Sequence, residues 1–125
     1  MHAQAMIIAI ALAFSPASNA EGKKEEVRFG AYPLKGDYYM YGGTLGEMTP
    51  PTPRDRKISL MLTGALAKDL FHEIGPDLKD ACSSDGGYRE RRRGDLNCTY
   101  TKVDGYECYI GIDVRNGKSM NGSIC

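Results

Sequence analysis

Four cysteines, Cys82, Cys98, Cys108 and Cys125, all stand at or beyond position 82 of this 125-residue chain. Joined in pairs, they confine the C-terminal part to a small cross-linked fold, because covalent links remove freedom from the unfolded chain. Their spacings contain no Cys-x-x-Cys, so neither a dithiol redox centre nor a zinc knuckle is read here. Structural disulfides are expected, and these persist in oxidising compartments.

The N-terminus agrees with export. Ala5 to Phe14 is an unbroken apolar run, followed by Ser15-Pro16 and the small-residue triplet Ser18-Asn19-Ala20. That is the layout of a signal peptide over residues 1–20, cleaved after Ala20, and the run is too short to span a bilayer. The mature chain, 21–125, is then one disulfide-bonded α+β domain of 105 residues in a periplasm or outside the cell. All sixteen basic and all sixteen acidic side chains fall after residue 20, so no basic excess is available to neutralise phosphates, and nucleic acid is not an expected partner. No second apolar stretch reaches membrane-helix length. Two sequons, Asn97-Cys98-Thr99 and Asn121-Gly122-Ser123, would accept glycans in a eukaryotic secretory path.

Along the chain, residues 21–26 are charged and predict a frayed start. Val27, Phe29 and Ala31 alternate as a short strand would. Residues 36–56 are dense in glycine, proline and tyrosine and predict an irregular segment. Lys57 to Leu62 alternates as a half-buried strand, with Ile58, Leu60 and Leu62 on one side. Thr63 is then placed to cap a helix over 63–74 whose apolar stripe is Leu66, Ala67, Leu70, Phe71 and Ile74. Gly75-Pro76 stops it.

The remainder predicts an antiparallel meander. A two-residue turn at Asn116-Gly117 sets Val114 opposite Ser119, Ile112 opposite Asn121 and Cys108 opposite Cys125. A three-residue turn at Val103-Asp104-Gly105 sets Tyr100 opposite Cys108 and Cys98 opposite Ile110. One face thus collects Leu96, Cys98, Tyr100, Cys108, Ile110, Ile112, Val114 and Cys125 for the helix to cover. The expected fold is a small antiparallel sheet, a C-terminal three-stranded meander, packed against one main helix. Two disulfides staple it, Cys108–Cys125 from the register and Cys82–Cys98 by elimination.

Chemistry is thinly supplied. His72 is the sole histidine after residue 20, on the polar side of the helix, so two-histidine metal sites are excluded. No Gly-x-Ser-x-Gly, P-loop or His-Glu-x-x-His pattern occurs. No catalytic residue, metal or cofactor is assigned. Two features suit recognition. Arg89, Arg91 and Arg93, extended, would form a basic ridge able to fork onto carboxylates, or else a charged edge that resists strand addition. Tyr39 and Tyr41, in the run Tyr38-Tyr39-Met40-Tyr41, would face outward by alternation and offer contact area. Small size, export and disulfides are shared with periplasmic inhibitors of lysozyme-type enzymes and with immunity proteins. The expectation is therefore an exported non-enzymatic binding protein, an inhibitor or immunity protein for an extracytoplasmic enzyme or toxin. The alternative is a cell-wall or polysaccharide-associated protein that stacks sugars on its tyrosines.

Overall fold

The structure, a computed structural model, describes Ala13 and residues 28–125. Ala13 apart, the expected leader lies outside the described residues, as does the charged stretch 21–26. The chain divides into two units, Met1–Ala31 and Tyr32–Cys125. In the first, residues 28–31 form no strand, so the alternation of Val27, Phe29 and Ala31 signals none there; Val27 itself lies outside the described residues. The sheet and the helix belong to the second unit.

Its elements are β1 (Gly36–Gly43), β2 (Met48–Thr49), β3 (Lys57–Thr63), α1 (Gly64–Glu73), β4 (Arg89–Arg93), β5 (Leu96–Thr101), β6 (Gly105–Asp113) and β7 (Ser119–Met120). The strands form one antiparallel sheet in the order β2-β1-β3-β6-β5-β4, with β7 continuing beyond β5 along the same side of β6. Helix α1 covers one face. Ala67, Phe71 and Ile74 pack there on Cys98 and Cys108, with Leu62, Leu70, Leu96, Tyr100 and Tyr106 around them. The fold is α+β, one helix on a small antiparallel sheet, as the periodicities imply.

The helix begins where expected, but Thr63 makes no side-chain cap. Thr63 is also the last residue of β3, and its N–H donates to the Lys35 carbonyl at 3.0 Å. At the other end the Ile74 N–H closes the last turn on Leu70 O.

Within 36–56, expected to be irregular throughout, residues 36–43 form β1. Tyr38 and Tyr39 face solvent on opposite faces, so no apolar alternation announces the strand. Backbone geometry explains its glycines. A Cβ on Gly36 would lie 1.9 Å from Met61 O, and Gly43 turns the chain with φ +70°. Residues 44–56, β2 aside, remain turns and bends.

The disulfides are Cys98–Cys108 and Cys82–Cys125, not Cys82–Cys98 and Cys108–Cys125. Two turns account for the correction. The first loop is Lys102–Asp104, with Gly105 (φ +72°) already pairing Thr101, so Cys98 faces Cys108 directly and Tyr100 faces Tyr106. The second loop is four residues, 114–117, closed by Gly117 N–H to Asp113 O and Asp113 N–H to Lys118 O. Ile112 therefore faces Ser119 rather than Asn121, and pairing ends at Met120. Beyond it the tail crosses the sheet at two glycines, where a Cβ on Gly122 would sit 2.5 Å from the Ile110 carbonyl carbon. That path carries Cys125 to Cys82. Val114 and Cys125, expected beneath the helix, are exposed.

Candidate functional site

Helix α1 leaves the other sheet face uncovered, and a groove of about 410 Å³ lies there. Alternation selects its lining: Tyr39 from β1, Ser59 and Met61 from β3, Asn97 and Thr99 from β5, Glu107 and Tyr109 from β6. Register sets Met61 beside Tyr109 and Tyr109 beside Asn97, a continuous floor across three strands. Met48 and Leu45 extend the apolar part of the wall.

The tail Gly122–Ile124 supplies another wall. It is held at three points. Ser59 Oγ donates to Gly122 O at 2.5 Å, Asn97 Nδ2 donates to Ser123 Oγ at 3.0 Å, and Cys125 is bonded to Cys82. A second hollow of about 430 Å³ shares Leu45, Ser123 and Ile124 with the groove.

Two tyrosine–carboxylate pairs line this face, each two residues apart on extended chain, where alternation puts both side chains on one side. Tyr109 Oη donates to Glu107 Oε2 at 2.5 Å, and Tyr88 Oη donates to Glu90 Oε2 at 2.9 Å. Burial, reinforced by the hydrogen bond to Glu90, pushes the Tyr88 phenol up to about 12. Burial and Glu107 raise the Tyr109 phenol further. Glu90 is 2 % exposed and its Oε2 also accepts from the Cys82 N–H at 3.0 Å, tying the Cys82 segment to the sheet. Asn97 Oδ1 is buried without a hydrogen-bond partner among the described residues. The groove thus offers aromatic surface and fixed dipoles, an arrangement suited to holding a group.

Of the residues singled out from sequence, Tyr39 is on this face and 58 % exposed. Tyr41, expected to face outward, is 2 % exposed, its hydroxyl unpaired among the described residues and the Lys57 ammonium 6.0 Å from its ring. Burial raises its phenol pKa. Arg89, Arg91 and Arg93 do project to one side of β4, but that side carries α1. Arg89 Nε and Arg91 Nε donate to Asp77 at 2.8 and 2.6 Å, and both guanidinium groups hold its carboxyl below the usual carboxylate range. Arg91 stacks 4.4 Å from the Phe71 ring centroid and donates to Phe71 O, while Arg93 reaches Glu73 O. The run brackets the helix C-terminus, where cations suit the dipole. His72 is also remote from the groove, on the helix beside Phe71 and Tyr106.

Sequence reasoning passed over Tyr88, Glu90, Glu107 and Tyr109, and read Asn97 only as a sequon. The repeated carboxylate–tyrosine spacing was the available signal. Asn97 of the first sequon is buried, whereas Asn121 of the second is exposed.

Among the described residues no three His, Cys, Asp or Glu side chains are grouped to hold a metal, and no helix is long and apolar enough to cross a membrane. The disulfides fit an oxidising, extracytoplasmic compartment. No protein-family model, curated protein or solved structure matches the chain.

Proposed function

We propose that the protein is an exported, non-enzymatic binding protein, an inhibitor or immunity protein that seats a protruding part of an extracytoplasmic enzyme or toxin in the helix-free groove. The observation that carries this is a preformed aromatic groove whose tail wall is clamped by a disulfide. Fixing the walls beforehand lowers the ordering cost of association. Tyr39 and the tail's Ile124, both exposed, are the contacts nearest a partner. The arginines expected to form a docking ridge serve the helix end, so they are not part of the contact proposed.

The test is capture from an envelope extract on immobilised protein, followed by assay of the retained enzyme or toxin. Its activity should fall with one equivalent of wild type and persist with Tyr39→Ala or Ile124→Asp. A retained protein whose activity is untouched, or one equally retained by both variants, would overturn the reading. Exposed Tyr38 and Tyr39 also favour the polysaccharide alternative. Co-sedimentation with purified peptidoglycan, abolished by Tyr39→Ala, would select it instead.

A further inference from the structure

The sheet's two long edges are built differently. At β4 the edge is Arg89-Glu90-Arg91-Arg92-Arg93, charge of the kind that discourages strand addition. At β1 it is Tyr38-Tyr39-Met40, with Tyr38 66 % and Met40 46 % exposed. The bond from Thr63 N–H to Lys35 O fixes the phase of the β1–β3 ladder, so odd residues of β1 bond inward and Gly36, Tyr38 and Met40 turn their backbone N–H and C=O outward.

Strand β2 covers this edge only at Gly42 and Gly43. Continuing its register would place Pro51 opposite Met40 and Pro53 opposite Tyr38, and proline has no N–H to give. The hairpin therefore stops, and the outward groups from Gly36 to Met40 pair with no strand among the described residues.

We infer that this edge pairs with the same edge of a second copy. An outward residue must meet an outward residue, so Tyr38 lies opposite Tyr38 and Gly36 opposite Met40. The β2 strands then flank this window at both ends and fix its length. The side chains are self-complementary. Tyrosine meets tyrosine on the helix-bearing face, and on the other face Asp37 of each copy meets Tyr39 of its mate, a hydroxyl donor opposite a carboxylate. The two-fold axis stands perpendicular to the sheet, which puts both helix-free faces on the same side and the two grooves side by side. An interface built on one strand edge is small, so the dimer is a reversible one.

Sedimentation velocity of the disulfide-intact protein over roughly 1–200 µM, the range such a small interface calls for, tests this. Wild type should pass reversibly from one chain to two, and the Tyr38 and Met40 amides should exchange more slowly as concentration rises. Each change enters a symmetric dimer twice, so Tyr38→Lys and Met40→Pro should each weaken it about tenfold or more. Monomer stability should not fall in Tyr38→Lys, which decides the matter if Met40→Pro does not fold. A single chain at every concentration would overturn the inference and leave the edge to a strand of another protein. A dimer indifferent to Tyr38→Lys would overturn it equally. Neither result bears on the groove, which Tyr38 does not line.

Discussion

Replacing Arg91 by alanine separates an arginine ridge that serves the fold from one that serves a partner. The guanidinium sits 4.4 Å from the Phe71 ring centroid, donates to Phe71 O at 2.9 Å and contacts Asp77 at 2.6 Å, with the side chain 15 % exposed. The partly desolvated cation–π contact is worth about 1 kcal/mol and the helix-carbonyl bond about 1 kcal/mol. Asp77 is 40 % exposed, so its ion pair adds about 0.5 kcal/mol. Because the three share one side chain they are not independent, and a loss of about 2 kcal/mol is expected. Arg93 has one bond to Glu73 O at 3.4 Å and is exposed; its alanine variant should lose less than about 0.5 kcal/mol. In urea, with a slope of about 1–2 kcal/mol/M for a domain of this size, Arg91→Ala should lower the midpoint by about 1–2 M and Arg93→Ala by a few tenths at most. Arg91→Lys should recover only part of the loss, since an ammonium lacks the planar fork that stacks and bonds together. Equal midpoints for the two alanine variants, disulfides intact, would refute the assignment of Arg91 to the helix end.

The two disulfides should respond differently to reductant. Cys98 and Cys108 are fully buried whereas Cys82 and Cys125 are exposed, so mild reduction followed by alkylation and peptide mapping should label Cys82 and Cys125 first. That link spans 43 residues against 10, and by loop-closure entropy its removal should cost about 4 kcal/mol. At alkaline pH the tyrosines set the limit. Burial first, then the bond to Glu90, raises the folded Tyr88 pKa to about 12, while an unfolded tyrosine titrates near about 10. The unfolded state then releases its proton earlier, so this stability is intact below about pH 10 and is lost as pH rises toward about 12. Thermal melts across that range, with tyrosinate absorbance at 295 nm, should show late-ionising phenols that appear together with unfolding; Tyr88→Phe should flatten the decline.

Much of the layout was legible because period survives errors of register. Both turns were displaced, and each displacement moved pairing by two residues, which returns every side chain to the same face. Cys98, Tyr100 and Cys108 therefore lie under the helix as alternation implies, although their partners differ. A disulfide is less forgiving than a face, since a two-residue slip moves a cysteine well out of bonding range of its expected mate. The pairing failed for that reason and because the tail leaves the ladder after Met120 and crosses the sheet to Cys82. Gly105 has the left-handed φ of a turn residue, +72°, but it begins the strand instead of closing the loop as the expected three-residue turn required.

The candidate site was harder to see because its parts are set by tertiary placement. Arg91 and Tyr41 carry the right chemistry for recognition, and what removes them is where neighbours fall. A helix end lies over Arg91, and Lys57 lies against Tyr41. Tyr109 and Glu107 become groove residues only because β3, β6 and β5 align, and because Gly111 and Gly122 let the tail cross there as a wall. The open edge of β1 follows the same logic in reverse. Pro51 and Pro53 look like loop residues in the sequence, yet in register they stand where a hairpin strand would have needed to donate. What reads as irregularity is thus the reason that one edge of the sheet remains available for pairing.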